Sequence, residues 1–137
     1  MVVTYSPSGK DLYIYLSDVD PGEAARSLPE IPVRMLFDRD HQWIGFEIIE
    51  ILDDSTVLDL APALAVARRT APDLAIEHDA KRRVATLRWT ADEGAIVLPW
   101  DAILDFDAKD QLIGVEFLFG GALEIDGRLT RLAHQQI

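Results

Sequence analysis

The chain has 137 residues, no cysteine and 49% hydrophobic residues, so the sequence predicts one domain with an apolar core and no disulfides. Its formal net charge of −11 opposes binding to nucleic acid or anionic lipid and favours a basic partner. No apolar run approaches the roughly 18 residues of a membrane span and no signal peptide is recognisable, so we expect a cytoplasmic protein.

The first elements in the chain form an alternating pattern that predicts a β-hairpin. Residues 3–5 alternate apolar and polar side chains, and residues 6–10 are turn formers. Apolar residues then recur at every second position, at Leu12, Ile14 and Leu16. Together these patterns predict two antiparallel strands joined by a turn.

The same pattern returns 73 residues later. Residues 76–78 correspond to the first strand, residues 79–83 to the turn, and Ala85, Leu87 and Trp89 to the apolar face of the second strand. Between each hairpin and the next feature, residues 24–28 and 95–98 each predict a short strand. The proline that follows, Pro29 or Pro99, is expected to end this strand or place it at a sheet edge.

The clearest repeat pairs residues 37–48 with residues 106–117. Six of the twelve positions are identical, and both segments predict a strand, a tight acidic turn and a second strand. The fourth turn position, His41 or Asp110, is expected to adopt a left-handed backbone conformation, which Asp and His tolerate better than most residues. Gly45 and Gly114, inside the second strands, predict a bulge or a close approach by another side chain, such as an aromatic ring.

Alternation also predicts which side of these strands is buried. Ile44, Phe46 and Ile48, with their equivalents in the second copy, are expected to face the core. Trp43 and Leu112 fall on the opposite face, which is apolar apart from one glutamate. We therefore expect that face to be covered by the other repeat, a helix or a second subunit, with Trp43 and Leu112 as interface residues.

Between the two copies the sequence predicts one short helix. It covers residues 61–69, with Pro62 tolerated in the first turn and Arg68 and Arg69 near the C-terminus. Beyond the second copy, residues 125–128 predict a further hairpin turn.

These patterns resemble domain-of-unknown-function family 2283, a short bacterial repeat. The resemblance implies a β-rich fold and supplies no mechanism. It covers most of the chain, although the second copy departs in its first hairpin and both copies lack the turn glycine. The residues that carry it are Tyr5, Pro7, Leu12, Tyr13, Ile14, Leu16, Asp38 and 44–48 in the first copy, and 104–107 and 113–116 in the second.

The predicted architecture is mainly β: two tandem antiparallel β-meander repeats packed pseudo-symmetrically as a sandwich or half-barrel, with one short connecting helix. The single domain spans residues 1–137. Repeat one is 1–55, the helical linker is 56–73 and repeat two is 74–137. One meander alone buries too small a core to be stable, so the repeats are expected to pack against each other.

Glu47 and Glu116 are one candidate site, because they occupy equivalent places on an otherwise apolar strand face. If the strands met at a pseudo-twofold axis, the two carboxylates would approach each other and form an acid–base pair. The alternative is that each glutamate pairs with an arginine, for which Arg34 and Arg88 are candidates, or lies at a wet sheet edge.

Asp105, Asp107 and Asp110 are a second candidate, for a hard cation such as calcium. A calcium loop requires ligands at alternate positions and a glycine at the sixth position, whereas Lys109 and Asp110 occupy the fifth and sixth positions here. Ordinary hairpin chemistry is the competing explanation. The three histidines have no partner at metal-ligand spacing, and the sequence contains no cofactor motif and no nucleophile motif.

Three functions follow as hypotheses. The leading one is a non-catalytic interaction module for a basic protein, as a toxin-neutralising or regulatory partner. The second is a small-molecule or metal-dependent enzyme that uses the glutamate pair between the repeats. The third is a structural homo-oligomer, such as a homodimer, that buries the face of Trp43 and Leu112.

Overall fold

A computed structural model describes residues 2–5, 11–17, 24–40, 42–50, 59–71, 74–90, 94 and 96–118. These residues form eight strands and one short bent helix in two segments, so the fold is mainly β. The strands are β1 (Val2–Tyr5), β2 (Asp11–Tyr15), β3 (Arg26–Phe37), β4 (Trp43–Ile49), β5 (Ala75–Asp79), β6 (Val84–Arg88), β7 (Ile96–Phe106) and β8 (Leu112–Leu118); the helical segments are α1 (Leu60–Ala63) and α2 (Ala65–Thr70).

All eight strands belong to one antiparallel sheet in the order β1-β2-β8-β7-β3-β4-β6-β5. The two long strands β3 and β7 pair at the centre. The hairpin β1–β2 pairs with β8 rather than with a strand of its own half, and β5–β6 pairs with β4. Each half therefore supplies a hairpin to the other, which places residues far apart in the chain on one continuous surface.

The predicted hairpins are confirmed. Tyr5 pairs with Leu12 in the first hairpin, and Asp79 pairs with Val84 in the second. The predicted left-handed turn position is confirmed at Asp110, whose φ is 59°. Its equivalent, His41, lies outside the described residues, as do the predicted turns at 6–10 and 125–128.

The prediction that a proline ends each short strand is wrong, because β3 runs through Pro29 and β7 runs through Pro99. The register of β3 against β7 shifts between Leu28 and Ile31, so Pro29 lies where the ladder is interrupted. Pro99 precedes the first recorded β7–β8 pair, Ala102 with Phe117. A strand tolerates proline where the missing N–H has no partner strand to meet, and β7 at Pro99 has a recorded partner on the β3 side only.

The prediction that Trp43 and Leu112 form an interface is also wrong. Trp43 is 3% exposed and Leu112 is 0% exposed, and both belong to the core of this single chain. The register shifts beside Phe37 in β3 and beside Phe106 in β7. A bulge of this kind adds one residue to one strand and breaks the inward–outward alternation. Strict alternation therefore put Trp43 and Leu112 on the wrong face.

The sheet curls into a half-barrel, and its aromatic side chains meet across the concave side. Phe117 of β8 lies with its ring centroid 5.2 Å from that of Phe46 and 5.1 Å from that of Trp43, both on β4. Because β7 and β3 separate β8 from β4 in the sheet, these contacts require the sheet to curve. The curvature draws concave side chains together and spreads convex ones apart.

The short helix that the sequence predicts for residues 61–69 is confirmed as α1 and α2, and it lies on the concave side of the sheet. Leu60, Ala63, Leu64 and Ala67 are buried in the core, and Arg68 and Arg69 lie in the last turn of α2. Hydrogen bonds tie the helix to the sheet and to the residues that flank its strands: Arg68 Nη1 donates to the carbonyl of Ile76, Leu60 N–H to Glu50 Oε1, Val66 N–H to Gln111 Oε1 and Thr70 Oγ to the carbonyl of Leu16. No helix in the described part of the chain is long and apolar enough to cross a membrane.

Candidate functional site

The convex side of the sheet carries a cluster of polar and aromatic side chains on β2, β8 and β7. We call it the Glu116 face and define it as Asp11, Tyr13, Tyr15, Asp105 and Glu116. Because side chains alternate along a strand, these residues lie on the other face of the sheet from the core residues of the same strands. The face exists only because the first hairpin pairs with β8, which brings residues 11–15 beside residues 105 and 116.

Tyr13 lies across Gly114 and reaches from β2 over β8 to β7. A Cβ atom on Gly114 would overlap the Tyr13 ring, so only glycine leaves room for the ring there. The predicted close approach of an aromatic ring to Gly114 is confirmed. Tyr13 Oη donates a hydrogen bond of 2.8 Å to Asp105 Oδ2, and the Tyr13 ring makes an edge contact with Tyr15 at 4.8 Å between centroids.

Asp105 joins three strands through its two carboxylate oxygens. Oδ2 accepts the bond from Tyr13 of β2, and Oδ1 accepts a bond of 2.5 Å from Ser27 Oγ of β3. The Asp105 residue is only 7% exposed. Burial and this hydrogen bond to Asp105 raise the pKa of Tyr13 far above its ordinary value, so Tyr13 keeps its proton and remains a donor.

Glu116 lies beside this network and has no basic partner in the part of the chain that the structure describes. In the sheet it is opposite Tyr13 of β2 and Ile103 of β7. Burial raises the pKa of Glu116 above its usual 4.5, and the carboxylates of Asp11 and Asp105 raise it further. Among the ion pairs of the described residues, none involves Glu116.

Glu47 occupies the corresponding place on β4, and there the carboxylate is neutralised. It lies opposite Arg34 of β3, whose Nη2 is 2.7 Å from Glu47 Oε2. The predicted alternative of an Arg34 partner is confirmed. The other candidate, Arg88, pairs with Glu77 at 2.8 Å instead.

The residue that faces the glutamate differs between the two segments of the sequence repeat. Arg34 faces Glu47, whereas Ile103, which is 69 residues after Arg34 in the sequence repeat, faces Glu116. The first half supplies its own cation to the carboxylate and the second half supplies an apolar side chain. Among the described residues, Glu116 therefore has no cation opposite it in the sheet.

The structure does not bring Glu47 and Glu116 together as an acid–base pair. Two strands, β7 and β3, lie between β4 and β8, which separates the glutamates by three strand spacings, or about 14 Å. Both glutamates lie on the convex side, where curvature spreads neighbouring side chains. Their neighbours Phe46 and Phe117 point the other way and do meet.

The three aspartates proposed for a cation do not share a ligand position. Asp105 bonds to Tyr13 and Ser27, as described above. Asp107 Oδ1 accepts hydrogen bonds from the backbone N–H groups of Lys109 and Gln111 and so stabilises the turn. Asp110 forms an ion pair of 3.2 Å with Arg26. Within the described ranges, no three acidic, histidine or cysteine side chains are placed to hold a metal ion.

Two clefts lie at the end of the half-barrel, where the helix meets the β7–β8 turn. They have volumes of about 420 and 380 Å³ and share Lys109. Arg26 and Asp59 line the larger cleft, together with Phe106 and Asp110. Arg26 packs over the Phe106 ring and pairs with Asp110, so the charges there are largely matched within the chain.

Replacing Glu116 with glutamine should raise the free energy of unfolding at neutral pH. A carboxyl whose pKa is raised by folding binds its proton more tightly in the folded state, so its contribution to stability falls as the pH rises above 4.5. The difference in free energy of unfolding between Glu116→Gln and the wild type should therefore shrink as the pH is lowered to 4.5 and below. Urea unfolding at a series of pH values measures this difference.

Glu47→Gln is the matched control for that experiment, since it removes the same charge from the corresponding position. It leaves Arg34 without its partner and should lower the free energy of unfolding by up to about 1 kcal/mol at neutral pH. Equal effects of the two substitutions would contradict the distinction between the paired and the unpaired glutamate.

Comparison with family models, with curated proteins and with solved structures finds no match for this chain. The resemblance to domain-of-unknown-function family 2283 therefore stays a prediction from the residues that carry it. The mainly β half-barrel and the Glu116 face are the features from which a function must be argued.

Sequence reasoning found Glu116 and Asp105 but missed their neighbours. Tyr13 was recognised only as a strand residue, because nothing local shows that β2 pairs with β8. Ser27 was missed for the same reason, since it meets Asp105 across the central β3–β7 pair. One signal was available: aligning the two copies places Ile103 where the first copy has Arg34.

Proposed function

We propose that this protein is a non-catalytic interaction module whose Glu116 face binds a basic partner protein, in a regulatory or toxin-neutralising role. The observation that supports this most is the half-buried Glu116 carboxylate, which lies near two other carboxylates and has no cation among the described residues. Its counterpart Glu47 does have such a cation.

A cluster of partly buried carboxylates of this kind favours the binding of a cation. Carboxylates held close together and partly out of water raise one another's energy, and a cation relieves that repulsion. The net charge of −11 adds a long-range attraction for a basic protein. The rings of Tyr13 and Tyr15 supply amphipathic contact area beside the charges, as aromatic residues do at protein interfaces.

The other two hypotheses receive less support. The enzyme hypothesis required Glu47 and Glu116 to act together, and two strands separate them. The homo-oligomer hypothesis required Trp43 and Leu112 to be accessible, and both are buried within one chain.

The test is affinity capture from the source cell with the wild-type chain and with Ile103→Arg. Arginine at position 103 lies opposite Glu116 as Arg34 lies opposite Glu47, so it should neutralise Glu116 from within and exclude an external cation. We expect a stoichiometric protein that binds the wild type and rebinds it when both are purified. Binding to Ile103→Arg should be about tenfold weaker or more.

Glu116→Gln serves as the second variant and guards against a folding defect in Ile103→Arg. Glu47→Gln is the control that removes one negative charge elsewhere on the same convex side. A partner that binds all four chains equally would contradict the assignment of the Glu116 face. Failure of the wild type to retain any stoichiometric protein would contradict the proposed function itself.

A further inference from the structure

We infer that the cation accepted by the Glu116 face is the guanidinium of a partner arginine, in preference to a lysine ammonium. This inference rests on the proposed function and names the chemistry of the partner. It follows from comparing the occupied and unoccupied carboxylates of the same chain.

The first half of the chain shows how a guanidinium fits this position. Arg34 approaches Glu47 from the neighbouring strand, with 2.7 Å between Nη2 and Oε2. On the other side of the sheet centre, Ile103 occupies the corresponding place, so no described strand neighbour supplies a cation to Glu116. A partner's arginine would supply to Glu116 the group that Arg34 supplies to Glu47.

The oxygens available on the Glu116 face indicate where that group would bind. Both oxygens of Asp105 already accept hydrogen bonds, from Tyr13 and from Ser27. Glu116 forms no ion pair among the described residues and is therefore the acceptor, with the negative charges of Asp11 and Asp105 nearby. A planar guanidinium can bond both oxygens of one carboxylate in parallel, which a single ammonium cannot do.

The surroundings of Glu116 also favour a weakly hydrated, flat cation. Glu116 is half-buried, so a ligand must shed part of its water, and guanidinium is less strongly hydrated than ammonium. The Tyr13 and Tyr15 rings lie on the same face and offer an aromatic surface for stacking. The chain itself contains such a contact, since the Arg26 guanidinium lies 4.8 Å from the Phe106 ring centroid.

Three short peptides test the inference, in which threonine alternates with arginine, with lysine or with trimethyl-lysine. All three carry the same charge, and alternating threonine favours an extended conformation. Calorimetric titration of the full chain at low ionic strength should show the arginine peptide binding about tenfold more tightly than the lysine peptide. Glu116→Gln and Ile103→Arg should each weaken arginine-peptide binding about tenfold, and Glu47→Gln should not.

The remaining outcomes distinguish a failure of this inference from a failure of the proposed function on which it rests. Equal affinity for arginine and lysine peptides would overturn the arginine preference and leave a general cation site. Tightest binding of the trimethyl-lysine peptide would overturn it in favour of an aromatic cage. If no peptide bound while captured protein still depended on Glu116, the arginine inference would fail and the interaction module would stand. If captured protein did not depend on Glu116, the proposed function would fail.

Discussion

Replacing Gly45 with alanine is expected to lower the free energy of unfolding by about 3 kcal/mol or more. A Cβ at this position would overlap the carbonyl oxygen of Leu87 and lie 2.9 Å from the Cα of Arg88, both on the neighbouring strand β6. These are backbone atoms held by the β4–β6 ladder, so no side-chain rotation removes the overlap. The strands must separate locally instead. Thermal and urea unfolding of the variant measure the loss.

Gly114→Ala is the matched comparison, because the added methyl would there overlap a side chain, the Tyr13 ring, instead of backbone atoms. The added methyl would displace the Tyr13 ring and break the hydrogen bond to Asp105, a loss of about 2 kcal/mol. In a Tyr13→Ala background the same Gly114→Ala change should cost less than about 1 kcal/mol, since the ring is absent. No side-chain truncation should rescue Gly45→Ala in this way. Equal behaviour of the two glycines in these double-mutant cycles would contradict the structure.

Replacing Phe117 with alanine should lower the free energy of unfolding by about 4 kcal/mol. Phe117 is fully buried and its ring packs edge-on against Trp43 and Phe46. These contacts join β8 to β4 across the concave side, where the two strands share no hydrogen bonds. The cavity left by alanine is bounded by the sheet on one side and by the rest of the core on the other, so it cannot collapse fully.

Leu118→Ala controls for the position, because Leu118 is the next residue of β8 and is 38% exposed. We expect a loss of less than about 1 kcal/mol for this change. The comparison is made by urea unfolding followed through tryptophan fluorescence. A small loss for Phe117→Ala, comparable with that for Leu118→Ala, would mean that the sheet does not curl enough to bring these rings together.

Local chemistry explains why several elements were predictable from the sequence. Alternation at Leu12, Ile14 and Leu16 identified a strand because one side of it is buried. Asp110 was predicted at a left-handed position because few residues other than glycine, asparagine, aspartate and histidine tolerate it. Gly114 was predicted to mark a bulge or a close approach by another side chain, because a glycine inside a strand often marks one or the other.

The predictions that the structure contradicts concern residues whose position depends on pairing with a neighbouring strand. Trp43 and Leu112 were placed outside because strict alternation ignores the bulges beside Phe37 and Phe106. A bulge depends on the ladder it interrupts, and the residues that form it carry no reliable local signal. From the sequence, Pro29 and Pro99 are expected to end a strand or to lie at a sheet edge, because the sequence does not show which side of each strand lacks a partner.

By itself, the sequence determined a cysteine-free, strongly acidic and mainly β protein in which one strand–turn–strand pattern recurs, since residue type and spacing control turns, strands and burial over short distances. Only the tertiary structure decided that the first hairpin pairs with β8 and that the sheet curls. Those long-range pairings place Tyr13, Asp105 and Glu116 on one face, although 103 positions separate the first from the last. Strand pairing across the chain, which no local pattern encodes, is the physical reason that the candidate site had to be seen in three dimensions.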